Sequence, residues 1–277
     1  MTHDPIGKCI YCDSISDLTD EHIFAYGLGG DDVLPKASCK SCAKVTGSIE
    51  QHVLRGLWWL ARAVLDFPSR HPKDMPTEFK IRGETKDGIR TEIILTEDER
   101  FGIASFPDYA PPGTLISRPY SPGILMTGNR MIAFGKSFEE IGKKYNLASI
   151  TGSVTYKGTT FARMLAKIAL GVAVARFGLD NFEEIYIRDC ILNKKDDVGM
   201  WVGCDNWTAP PELLERETKT RHASIIGVDD GVVKVRIRLF SFSPYSPAYL
   251  VVVGRLRPGT SMERKGKAAD AFSGMNK

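Results

Sequence analysis

Cys9-Ile10-Tyr11-Cys12 and, 26 residues later, Cys39-Lys40-Ser41-Cys42 decide how this 277-residue chain is read. Each pair can chelate from a tight turn, and two such turns complete a tetrahedron of thiolates. That ligand set and spacing suit a structural zinc ion held by all four cysteines. A redox dithiol needs one such pair, not two. The opening Met1-Thr2-His3-Asp4-Pro5 carries no basic stretch followed by an apolar one. A cytoplasmic setting is therefore expected, and a disulfide framework is the weaker reading. Cys190 and Cys204 stand alone downstream, after apolar residues, and read as buried free thiols.

Working outward, Leu18 to Phe24 looks extended and Tyr26-Gly27-Leu28-Gly29-Gly30 reads as a loop. From Cys42 the apolar residues Val45, Ile49, Val53, Leu57, Leu60 and Val64 recur at helical spacing, predicting one helix that stops before Pro68. Its apolar second half, Leu57-Trp58-Trp59-Leu60, is expected to be buried against the larger domain downstream. Residues 68–125 read as short strands and loops. Ser137 and Glu140 form a capping-box signature for a short helix to Tyr145. Thr160–Phe177 is the clearest helix of the second half, with Phe161, Leu165, Ile168, Val172 and Ala175 on one face and Gly178 at its end. Strands are expected at 184–192, 198–204, 223–227, 232–240 and 248–256, with Asp229-Asp230-Gly231 as a hairpin turn. The fold class expected is α+β: a zinc-braced module with its helix over 1–66, a larger domain with a mostly antiparallel sheet over 67–257, and a basic, disordered tail over 258–277.

Hydrophobic residues make up 43% and charged residues 26% of the chain, which argues against a disordered or low-complexity protein. No apolar run in the sequence is long enough to span a bilayer, so a membrane partner is not expected. The formal net charge of +3 does not announce a polyanion binder. The first sixty residues are acidic, with five Lys/Arg against eight Asp/Glu. Contacts to phosphates would therefore have to come largely from later residues or from bound metal.

The ordered set Cys9-Ile10-Tyr11-Cys12, Thr19-Asp20-Glu21-His22-Ile23, Gly27-Leu28-Gly29-Gly30, and Cys39-Lys40-Ser41-Cys42 leading to Gly47-Ser48-Ile49-Glu50 resembles the ββα-metal finger of the HNH endonuclease family. The likeness covers residues 8–52. It implies metal-dependent hydrolysis of phosphodiester bonds in DNA, with RNA as the other candidate substrate, and it suggests a bacterial or phage defence setting. His22 matches the family's general base, and Glu21 its acidic ligand for Mg2+ or a similar ion. A near-neutral imidazole suits the first role and a carboxylate the second. Ala43 stands where the family usually has an Asn or His ligand. Glu50, His52 or Asp20 is then expected to take over that task; positions 43, 47 and 50 share one helix face, which suits Glu50, whereas His52 points away on a regular helix. Arg55, Arg62 and Arg70 are candidate phosphate contacts. The larger domain is left the roles of recognition, homodimerisation or coupling to a defence-system partner. The rival reading is a non-catalytic zinc-finger adaptor that binds nucleic acid or a protein partner; Ala43 and the acidic finger favour it. His3, His71 and His222 read as surface histidines.

Overall fold

The computed structural model describes residues 3–76, 78–151, 157–205, 210–212, 215 and 221–261. The expected disordered tail therefore lies, beyond Ser261, outside the described residues.

The first module is a strand, a strand and a helix: β1 (Leu18–His22), β2 (Val33–Cys39) and α1 (Lys40–Arg55). β1 and β2 pair antiparallel, with Glu21 opposite Leu34 and His22 opposite Val33, and the register slips between Thr19 and Glu21. The bulge at Asp20 turns consecutive side chains out of simple alternation. The connecting loop passes through a short turn at Tyr26–Leu28 and ends at Gly29 (φ 75°) and Gly30. At Gly30 a β-carbon would sit 2.0 Å from the Phe24 carbonyl oxygen, so only glycine fits there.

The helix expected to run unbroken from Cys42 divides instead. α1 ends at Gly56, and α2 (Trp59–Val64) starts afresh. The break lets Leu57 and Trp58 drive into the interior. Trp58 is fully buried, its indole N–H donates to the Ser105 carbonyl at 3.0 Å, and the Ser105 N–H donates to the Leu57 carbonyl. Burying an indole with its N–H satisfied outweighs one broken helical turn.

The rest comprises β3 (Phe79–Thr85), β4 (Arg90–Leu95), β5 (Phe101–Tyr109), β6 (Met126–Gly135), α3 (Phe138–Lys144), β7 (Leu147–Thr151), α4 (Gly158–Phe177), β8 (Phe182–Ile185), α5 (Arg188–Ile191), α6 (Val198–Trp201), β9 (Val202–Cys204), β10 (His222–Asp229), β11 (Val232–Leu239) and β12 (Ala248–Leu256). All described pairings are antiparallel. They form a sheet β10-β11-β12-β8 with β9 also on β12, a sheet β4-β3-β7, and the ribbon β5-β6. The α+β class with mostly antiparallel sheets stands. The Ser137/Glu140 capping box is present, and Asp230 and Gly231 both take positive φ in the β10–β11 hairpin. Residues 198–201, expected as strand, form the helical turn α6 ahead of β9. Residues 188–191, also expected as strand, form a helical turn instead. The cause is tertiary: Arg188 reaches Asp13 with two bonds of 2.7 and 2.9 Å and donates to the Ile10 carbonyl at 2.8 Å, clamping the loop of the first cysteine pair. Cys190 is fully buried and Cys204 partly so, both as free thiols.

α4 is the axis of the molecule. It is long and apolar enough to cross a membrane, but two thirds of it is buried inside this fold. It packs against β11 and β12 on one side and α1 on the other. Gly171 allows the backbone of Ile23 to approach to 3.4 Å from where a β-carbon would stand. One continuous hydrophobic core therefore holds Ile10, Tyr11, Ile23 and Leu34 of the first module together with α4 and the large sheet.

His222 is a second tie between the two regions, and not the surface histidine expected. Its Nδ1 accepts the Phe240 N–H at 3.1 Å, which leaves Nε2 to donate to the Leu28 carbonyl at 2.9 Å. The ring stacks on Phe24 and Phe67. Burial, assisted by the Arg221 charge, lowers its pKa from 6.5 to about 4. The unfolded chain therefore takes up a proton first as pH falls. Stability contributed by neutral His222 is intact above about 6.5, is lost progressively from there to about 4, and totals about 3 kcal/mol. Urea titrations of the parent and His222→Gln at pH 7.5 and 4.5 should show a smaller acid loss in the variant. Equal losses would refute this role.

Candidate functional site

The four thiols come together as their spacing predicts. Asp13, in a left-handed conformation (φ 60°), closes the first turn with its N–H on the Cys9 carbonyl. Cys39 ends β2 and Cys42 sits in the first turn of α1. All four sulfur atoms lie within 4.8 Å of one another, and Cys12 and Cys39 are 3.7 Å apart. Zinc–sulfur bonds of ~2.3 Å in a tetrahedron need sulfurs about 3.8 Å apart, so the cluster could hold a zinc ion. Among the described residues it is the one group of three or more Cys, His, Asp or Glu atoms gathered so closely.

Beside it opens a cleft of ≈ 330 Å³ between β1, the 26–30 loop, α1 and the chain after α2. Asp20, Glu21 and His22 line it from β1, and Ala43, Gly47 and Glu50 from one face of α1. Glu21 and Glu50 thus face a common point, as expected, and His22 opens onto the same space. Burial, with the charges of Arg70 and Lys167, lowers the His22 pKa below 6.5, against a smaller opposing pull from Glu50 and Glu21. The imidazole is therefore neutral, and free to accept a proton, at neutral pH.

The cation between the two carboxylates is the ammonium of Lys167, from the middle of α4. It stands 2.9 Å from Glu21 Oε1 and 2.7 Å from Glu50 Oε1, and it donates to the backbone carbonyls of His22 and Ile23. Its side chain is 2% exposed. Burial alone would drive it toward neutrality, but the Glu50 and Glu21 charges outweigh this and hold its pKa above the ordinary value. Glu21 and Glu50 are the residues expected as ligands for Mg2+ or a similar ion. The two residues meet at one point, but each gives an oxygen to Lys167, and the residues present do not fit an open divalent site. Tyr11, between the paired cysteines Cys9 and Cys12, is buried with its phenol under the influence of Glu21 and Glu50, whose charges add to burial in raising its pKa.

Lys167 and Tyr11 were missed by sequence reasoning. The signal for Lys167 was there: one lysine deep within an otherwise apolar face, Leu165-Ala166-Lys167-Ile168, needs a buried partner. Of the three arginines, Arg55 and Arg70 are exposed at the cleft, with Arg70 over the Tyr26 ring at 5.6 Å. Arg62 is corrected. It is 4% exposed, and its guanidinium is spent on the carbonyls of Gly27 (2.7 Å), Pro68 (3.0 Å) and Leu54 (3.4 Å), bracing the cleft wall instead of presenting charge. Asp20 is exposed and accepts the Lys36 N–H at 3.0 Å. No protein-family model matches the chain, no curated protein is similar to it in sequence, and no solved structure matches it.

Proposed function

We propose that the chain is an HNH-type endonuclease that hydrolyses phosphodiester bonds in DNA, with His22 as the general base. The observation that carries this reading is the neutral His22 imidazole opening into a cleft whose rim bears the exposed guanidinium groups of Arg55 and Arg70. Those two side chains suit a phosphate. His22 takes a proton from water as the water oxygen bonds to phosphorus, and the opposite P–O bond breaks with its electron pair going to the departing oxygen. That oxygen is then protonated from solvent or by the imidazolium. Lys167 serves this site by neutralising one of two carboxylates that would otherwise repel a phosphate.

With zinc in place, the parent protein is expected to nick supercoiled plasmid. His22→Ala should cut the rate about 100-fold or more while leaving zinc content and melting temperature unchanged. The parent rate should stay level from pH 8 to 6.5 and fall below it, because the base titrates below its ordinary value. Ala43 on the cleft face of α1 favours the second reading, a non-catalytic adaptor. A parent that binds plasmid but never nicks it, and that His22→Ala matches in binding, would establish the adaptor and overturn the nuclease.

A further inference from the structure

We propose that Lys167 is the resident cation of this finger: its ammonium fills the position between Glu21 and Glu50 that a divalent ion would take, so the pair does not recruit one. The inference deepens the nuclease reading, for it concerns the ionic requirement of that same cleft.

Four oxygens surround the ammonium: Oε1 of Glu21 and Oε1 of Glu50 at ion-pair distance, and the carbonyls of His22 and Ile23 as hydrogen-bond acceptors. Carboxylates and carbonyls are the hard oxygen ligands that Mg2+ or Mn2+ also seeks. Here they are arranged around nitrogen instead. A divalent ion could enter only by displacing the ammonium from both carboxylates, since Lys167 lines the same cleft as Glu21 and Glu50. Its neighbours along α4, from Phe161 to Leu170, are nearly all buried, and its own side chain is 2% exposed. Displacement would separate the ammonium from both of its carboxylate partners, which is unfavourable for a charge this deeply buried. Ala43, which supplies no ligand atom on the cleft face of α1, fits a site that has no metal to hold. The charge count agrees: the three side chains together carry −1, whereas two bare carboxylates would carry −2 and attract a divalent ion.

The test is a titration of the zinc-loaded full-length protein with Mn2+, read as loss of the free-ion signal in electron paramagnetic resonance. The parent should take up no Mn2+ that Glu21→Gln abolishes. Lys167→Ala, which vacates the position, should bind one Mn2+ per chain at least tenfold more tightly than the parent, and Glu21→Gln in that background should remove the gain. Saturable Mn2+ binding by the parent that depends on Glu21 would overturn the proposal, and so would a folded Lys167→Ala chain that gains no site. Should Lys167→Ala not fold, Lys167→Ser serves in its place, and the parent measurement still decides. Because the readout is binding, a protein that excludes Mn2+ yet never nicks DNA refutes the nuclease reading alone. One that nicks DNA while binding Mn2+ through Glu21 refutes only this inference.

Discussion

Cys39→Ser is expected to abolish zinc binding and, with it, the order of residues 3–55. The parent should carry one zinc per chain, released only by strong chelators. A tetrathiolate site of this kind contributes roughly 10–16 kcal/mol to folding, at least as much as the ~5–15 kcal/mol net stability of an ordinary domain. No other local device can replace it. β1 and β2 are two short strands, marginal on their own, and the loop of the first cysteine pair is otherwise held by Arg188 on Asp13 at the surface. Loss of zinc would release Ile10, Tyr11 and Leu34 from the core they share with α4. Hydrogen exchange should therefore show the protection of the Ile23 and Lys40 amides lost in Cys39→Ser, while the β11–β12 ladder remains protected longest. A zinc-free variant with unchanged exchange and melting temperature would show that the thiols are not a metal site.

Lys167→Met should be the most damaging single change outside the cysteines. It leaves the side chains of Glu21 and Glu50, 8% and 21% exposed, without their counter-charge. Breaking a buried ion pair by removing one partner costs about 3–5 kcal/mol, which lowers the melting temperature of a chain this size by roughly 10 °C. The methylene stem of methionine keeps most of the packing, so the loss reports charge and not volume. Adding Glu21→Gln and Glu50→Gln should recover most of it, since the carboxylates and the ammonium are costly only when separated. A Lys167→Met melting point within ~2 °C of the parent would mean that the triad contributes no stability.

What could be read directly was whatever one short stretch settles with its own chemistry. Two cysteine pairs at chelating distance need no distant partner to be recognised. The Ser137/Glu140 capping box and the Asp230-Gly231 turn likewise close within four residues. The shared face of Ala43, Gly47 and Glu50 followed from helix geometry alone. The misreadings have one source. Gly56 breaks the expected helix because Trp58 has a site 47 residues away at Ser105. Residues 188–191 coil because Arg188 must reach Asp13. His222 and Arg62 are interior because their partners, Leu28, Phe240, Gly27 and Pro68, arrive from other elements.

The order of residues was enough to specify the sulfur cluster, the carboxylates and imidazole of the cleft, and the apolar helix that would support them. That Lys167 is the cation meeting those carboxylates became visible only in the packed fold, although its place on an apolar helix face already called for a buried partner. Ligand type and spacing are written locally, whereas the charge that two buried acids meet depends on what a helix some 145 residues away in the chain brings against them. Burial makes that meeting obligatory: an ammonium enclosed in an apolar core has to find its carboxylates, and in this fold it finds both.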